Sequence, residues 1–393
     1  MGRLSRAELQ EHNRARVLDA ARNEFAERGF PGAKVDAIAE RAGLTRGAVY
    51  SNFPGKRALY FAVLADLAER VPEPPHPAPG RTRTEALGAL ARAWVAGLPL
   101  VGTDTGTDMG TGGGPGTGIS TGDRYGSPRL DRHLMSEVLS EERIRRPFAQ
   151  LMKLDAVLLG LALEGLRRPD APTGRLVRVA EAVLTTLHGA SQMADAAPGF
   201  IEPFNVVSAC ERLADLALDD TWPPPHLPYI PRARPADEPW SPPPAVDAVR
   251  GGPARLAGDG VVAILGTHRL EAAEEAVRAA PPGVTVTAVL VTGEPAELVP
   301  LARLAVAGLC GCLRQAFPPS AWPRLQVVYD ASGALAEAAG VPAVSDGTEA
   351  AVRVEGGRIV ARADGRGACH AAAAAEGAAA RVGRTRPDGS RRS

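Results

Sequence analysis

The chain has 393 residues, 45 basic against 45 acidic, with 43 glycines, 35 prolines and only 4% aromatic residues. That length implies two or three domains, and a net charge of zero excludes engagement of polyanions by bulk charge, so local charge must decide. Four scattered cysteines, Cys210, Cys310, Cys312 and Cys369, make no disulfide framework; with no apolar leader and no run of about 18 apolar residues, the expectation is a soluble, cytoplasmic chain with reduced thiols and no membrane partner.

In chain order, Val17, Leu18, Ala21 and Phe25 recur at helical spacing across 16–28, and Gly29 sits where a left-handed helix end is expected. Val35, Ile38 and Ala39 form the apolar face of a short second helix. Ala42-Gly43-Leu44 then makes a tight turn, for which Gly43 supplies positive φ. Thr45 is a strong N-cap for a third helix over 46–53. That helix turns Val49 and Phe53 inward and leaves Arg46, Gly47, Ala48, Tyr50, Ser51 and Asn52, with Thr45, as a small donor-rich surface suited to a DNA groove. Lys56 follows Pro54-Gly55 at the start of a further helix, where its ammonium and the helix amides can meet a phosphate; Lys34 can do likewise before helix two. Residues 1–60 hold eleven Lys/Arg against seven Asp/Glu, a local excess inside a neutral chain.

The stretch RVLDAARNEFAERGFPGAKVDAIAERAGLTRGAVYSNFPGKRALYFAVL resembles the N-terminal domain of the TetR family of regulators. The likeness covers roughly residues 12–65, with Ala20-Ala21, Phe25, Gly29, Ile38-Ala39, Ala42-Gly43, Gly47, Tyr50, Phe53 and Lys56 at family positions and Asn52 in place of the commoner histidine. The resemblance implies a homodimer that grips the two half-sites of a pseudo-palindromic double-stranded DNA operator. It also implies a small-molecule effector, of unknown identity, that relieves repression by moving the two recognition helices apart.

Further along, 72–80 is a proline-rich connector, and 102–128 is a Gly/Thr-rich segment expected to be disordered. Helical patterns at 83–98, 129–168, 173–195 and 203–219 make the middle of the chain all-α. By family analogy its last two helices, 175–195 and 203–219, form a four-helix dimer interface. Trp94, Met135, Leu139, Phe148, Met152, His188 and Met193 are candidates to line an effector cavity, with ordinary core packing as the competing reading.

Proline after proline marks 220–258 as an interdomain linker. Beyond it, Val261–Leu265, His268–Ala280, Val284–Thr292, Ala296–Ala307, Leu325–Asp330 and Ala350–Ala363 alternate β-rich and Ala-rich runs, an α/β pattern. LAEAAGVPAVSDGTEAAVRVEGGRIVARADGRGA resembles the late section of thioredoxin-like proteins. Gly266-Thr267-His268-Arg269 stands where such a protein would place its nucleophilic cysteine. Cys310-Gly311-Cys312 can close only a strained disulfide, and Cys369-His370 lacks a third catalytic member.

The expectation is a multidomain chain. It comprises a helix-turn-helix domain (1–71), a helical ligand-binding and dimerisation domain (83–219), the linker (220–258), a small α/β thioredoxin-like domain (259–382) and a basic tail (383–393). Its expected function is that of a ligand-responsive repressor with no catalytic residues, cofactor or metal. The alternative is a thioredoxin-like redox enzyme or redox sensor, acting through Cys310 and Cys312, fused to a DNA-binding domain.

Overall fold

The computed structural model describes residues 5–70, 79–98, 130, 133–167, 174–222 and 232–375. The disorder expected for 102–128, most of the 72–80 connector and the basic tail lie outside the described residues. Internal contacts divide the chain into two compact units: one takes in residues up to Arg145, Leu159–Asp220 and Ala307–Trp322, the other the remainder.

In the first unit, α1 (Arg6–Gly32) opens on a capping box: the Ser5 hydroxyl accepts from the Glu8 amide at 3.2 Å, and the Glu8 carboxylate accepts from the Ser5 amide at 2.7 Å. The helix therefore starts ten residues before the apolar pattern suggests, and it breaks at Gly29, whose φ is +65°. Then follow α2 (Val35–Arg41), α3 (Arg46–Asn52) and α4 (Lys56–Glu69). Val17, Ala21, Phe25, Ile38, Val49, Phe53, Leu59 and Tyr60 close their common core, with Phe25 and Tyr60 edge to face at 5.3 Å.

Among the described residues, the helices that follow in this unit are α5 (Arg83–Val95), α6 (Leu134–Ser140), α7 (Glu142–Gly165), α8 (Val177–Ala196) and α9 (Pro203–Leu213). The single helical run expected over 129–168 is two helices, because Glu141 adopts extended backbone between α6 and α7 (φ −140°, ψ 135°). The last helix ends at Leu213 rather than Asp219, and Asp219 itself has φ +44°.

The second unit is built on a six-stranded sheet in the order β1-β8-β7-β4-β5-β6. Its strands are β1 (Arg234–Pro239), β4 (Gly260–Gly266), β5 (Thr285–Val291), β6 (Leu325–Tyr329), β7 (Glu349–Glu355) and β8 (Arg358–Asp364). β4, β5 and β6 run parallel, linked through α10 (Ala272–Ala279) and α11 (Pro295–Ala316). The β7–β8 hairpin and β1 add antiparallel pairings. α12 (Ala334–Ala338) precedes the hairpin and α13 (Ala368–Ala373) follows it. The parallel strands are buried almost along their whole length, as strands covered on both faces are, with Thr287 and Gln326 hydrogen-bonded to each other among the apolar residues; on one face Val262, Ile264, Val289, Val328 and Val352 pack with Trp240, Leu256 and Leu335.

Residues 223–231 of the expected linker lie outside the described residues, and from Arg234 onward the proline-based linker assignment is corrected by this sheet. Arg234–Pro239 is its edge strand, Trp240 is a core residue, and β2 (Val246–Asp247) pairs with β3 (Gly252–Pro253) as a small ribbon. An edge strand tolerates proline because its outward amides need no ladder partner. Nor does the second unit follow the expected domain boundary, since the middle of α7 (Arg146–Leu158) groups with it.

α11 runs nine residues past its expected end at Ala307, with Leu309 and Leu313 buried beyond Gly308 and Gly311. Among the described residues it is the one helix long and apolar enough to cross a bilayer by length and composition, but half of that stretch is buried inside the fold and Glu297, Arg303 and Arg314 interrupt it, so it is not an uninterrupted apolar run of about 18 residues.

One buried acid stands apart. Asp155 of α7 is 2% exposed, its Oδ1 has no hydrogen-bond partner, and burial holds its pKa well above the ordinary value. A raised pKa in the folded state means that stability is fully present below the unfolded value of 3.8 and is lost as pH rises above it. Asp155→Leu is therefore expected to stabilise the protein by about 1–3 kcal/mol at neutral pH, and by much less near pH 4. Urea unfolding at both pH values checks this, and an equal gain at each would refute it.

Candidate nucleic-acid interface

α2 is held against α1 by one buried carboxylate. The Glu24 side chain is fully buried, 3.2 Å from both Arg28 Nε and Arg41 Nε, and Glu24 Oε1 accepts from the Lys34 amide at 3.5 Å. Glu24 thus ties the start of α2 to α1, a role that the sequence reading missed; its signal there is an acid placed on the apolar face of α1 beside Phe25. The turn after α2 places Gly43 at φ +61°, with the Arg16 guanidinium against it. A side chain at Gly43 would strain the backbone and displace Arg16.

The Thr45 hydroxyl accepts from the Ala48 amide at 3.2 Å and so sets where α3 begins. With Val49 and Phe53 buried, α3 exposes Thr45, Arg46, Gly47, Tyr50 and Ser51, while Ala48 and Asn52 are half-buried. Tyr50 keeps 40% of its surface, and the Arg46 guanidinium lies 5.5 Å from its ring centre and 3.3 Å from Asp36. The Asn52 amide donates back to the Ala48 carbonyl at 2.8 Å, so it is spent within the helix.

Lys56 departs from its expected role. Its ammonium donates to the carbonyls of Pro31 (3.3 Å) and Ala33 (3.0 Å) and sits 4.6 Å from the centre of the Phe30 ring. Burial lowers its pKa, with Glu137 opposing. The side chain is a clamp between α4 and the α1–α2 connection, with two of its three ammonium donors taken by those carbonyls. Lys34 stays exposed at the N-cap of α2.

Among the candidate effector residues, one pair is in direct contact. Trp94 and His188 meet edge to face at 4.9 Å, and Trp94 Nε1 donates to Ser191 Oγ at 2.9 Å. Burial lowers the His188 pKa, keeping the imidazole neutral. Met135 is half-buried in the same unit. Leu139 (62% exposed) and Met193 (39%) lie on the surface. Phe148 and Met152 group with the other unit.

Thiol chemistry finds little to work with. Burial pushes the pKa of Cys210 to about 11 and of Cys312 to about 12, and also raises that of Cys369 well above the ordinary thiol value. Thiolate, the reactive form, is therefore scarce at neutral pH. Cys310 and Cys312, two apart on α11, point to different sides of the helix. His268 is half-buried, its pKa lowered by burial and then by Arg146, while Asp346 opposes the shift.

Comparison with known proteins bears on the N-terminal helices. The family model described as bacterial regulatory proteins, tetR family, matches residues 17–63. The HTH-type transcriptional regulator TtgW of Pseudomonas putida is 49% identical over 65 residues, which is 16% of this chain and 48% of that protein. SrpR of Pseudomonas putida is 48% identical over 65 residues, 16% of this chain and 30% of its own length. The HTH-type transcriptional repressor Rv1474c of Mycobacterium tuberculosis is 40% identical over 58 residues, 15% and 31% of the two chains. The chain thus spans less than half the length of these relatives, and the shared part is the helix-turn-helix stretch that the tetR family model matches.

Proposed function

We propose that the protein is an effector-responsive transcriptional repressor, binding a pseudo-palindromic DNA operator as a homodimer through α3. The observation that carries this reading is the exposed, capped face of α3 from Thr45 to Ser51, presented on a rigid three-helix support. That geometry suits insertion of one helix into a major groove, with Arg46 and Tyr50 toward base edges and Thr45, Lys34 and the first amides of α4 toward phosphates. The relatives matched over the same residues are named as transcriptional regulators, one of them a repressor. Selection of bound sequences from a random duplex pool is the test: a palindromic consensus supports the reading, and enrichment of no sequence overturns it.

Dimerisation belongs to α8 and α9. Phe204 is 80% exposed, Phe200 between the two helices 69% and Met193 39%, an apolar surface that a self-complementary partner would cover. Phe204→Asp is expected to yield a monomer in sedimentation velocity and to weaken operator binding by roughly tenfold or more, because one half-site then binds without the other. A dimer that survives the substitution would place the interface elsewhere.

The effector remains a small molecule admitted to the helical unit, with Trp94, Met135 and His188 as its first candidate contacts. We read the α/β unit as a thioredoxin-like scaffold without redox chemistry. Its support is the β4-α10-β5 unit beside the β7–β8 hairpin, with Gly266 to Arg269 offering no cysteine.

A further inference from the structure

Resting on the DNA-binding reading above, we propose that Arg57 and Glu141 form a latch through which the joint between α6 and α7 positions the recognition helix α3. Arg57 is the second residue of α4, and α4 begins only four residues after α3 ends. Its side chain is 13% exposed, and Nη1 donates to Glu141 Oε1 at 2.8 Å and to Ser140 Oγ at 3.5 Å. The pair joins residues 84 apart in sequence.

Glu141 stands at a mechanically telling place. It is the one extended residue between α6 and α7, so any change in the angle between those helices moves it. A glutamate at that position could accept from the first amides of α7, yet no side-chain cap is made there. The carboxylate turns instead to Arg57, with Arg143 Nε at 2.5 Å on its other side. The local capping interaction is given up for a distant one.

Two further contacts keep the same elements together. The Tyr60 hydroxyl, on the next turn of α4, donates to the Leu130 carbonyl. The His133 imidazole, just before α6, lies against Gly29, where a Cβ would come within 3.1 Å of Nε2. Lys56, next to Arg57, holds the Pro31 and Ala33 carbonyls, which lead directly into α2. A shift at Glu141 therefore reaches α3 through Arg57 at the start of α4, and α2 through Lys56.

The test uses the full-length protein and the duplex that it selects from a random pool. Glu141 lies outside α1 to α4, so Glu141→Ala removes no DNA contact proposed for α3. It is expected to weaken binding by roughly three- to tenfold, the size of a partly exposed ion pair acting in each protomer. Arg57→Ala should do the same, and the double variant should be no worse than either single one. The charge-swapped Arg57→Glu, Glu141→Arg protein should recover affinity. Amide hydrogen exchange across residues 45–57 should accelerate in Glu141→Ala while the melting temperature stays within a degree or two of the parent.

Unchanged or tighter binding by Glu141→Ala, strictly additive losses, or unaltered exchange in 45–57 would each overturn the latch. Failure of the parent protein to select any sequence overturns the DNA-binding reading instead, and the exchange measurement then still decides whether Glu141 restrains α3.

Discussion

Replacing Arg46 and Tyr50 together with alanine is expected to lower operator affinity by about a hundredfold or more while leaving the melting temperature unmoved. Each side chain that reads a base edge contributes about 1–3 kcal/mol, and a dimer presents both of them twice. Neither supports the fold: Tyr50 is 40% exposed, and the Arg46–Asp36 pair is 62% and 68% exposed at its two ends. A surface pair of that kind is worth at most about 1 kcal/mol. Fluorescence anisotropy with the selected duplex measures the loss, and circular dichroism melting checks the fold. An affinity within twofold of the parent would mean that α3 does not enter the groove by this face.

Asp247→Ala is expected to destabilise the α/β unit by about 3–5 kcal/mol, the typical cost of removing one member of a buried charged network. The Asp247 side chain is fully buried: Oδ1 accepts from the amides of Val249 (3.0 Å) and Val327 (3.2 Å), and Oδ2 lies 2.8 Å from Arg250 Nη1. Alanine strands two buried amides and frees a guanidinium that is only one-third exposed. Asp247→Asn keeps an acceptor for the amides and should lose less than half as much. Chemical denaturation followed by Trp240 fluorescence reports the change; a loss below about 1 kcal/mol would show that the ribbon carries little of the fold.

What could be read from the sequence was whatever local chemistry decides. α2, the turn and α3 follow from Ile38 and Ala39, Gly43 and Thr45, because an apolar stripe, a positive-φ glycine and an N-cap act over three or four residues. The first ten residues of α1 were passed over for want of apolar spacing, although Ser5 and Glu8 spell out a capping box. The break at Glu141 has no glycine or proline to announce it; the Arg57 contact accompanies it, and Arg57 is remote in sequence. Lys56 shows the same limit from the other side. A lysine at a helix start reads as a phosphate ligand until the fold brings the Pro31 and Ala33 carbonyls to it. The linker reading failed because prolines in an edge strand and prolines in a tether look alike in one dimension.

Asp247 and the prolines of β1 have one effect in common. At one end of the sheet, Asp247 and the Ala248 amide occupy the outer backbone groups of Val327 in β6, where a further strand would otherwise dock. At the other end, β1 begins and ends near Pro235 and Pro239, carries Asp237 and Glu238 between them, and slips register within that stretch. Both borders of the sheet are thereby closed to growth. Strand-to-strand growth between neighbouring copies is disfavoured at both borders, which leaves the helices and loops as the better-suited surfaces of this unit for recognition.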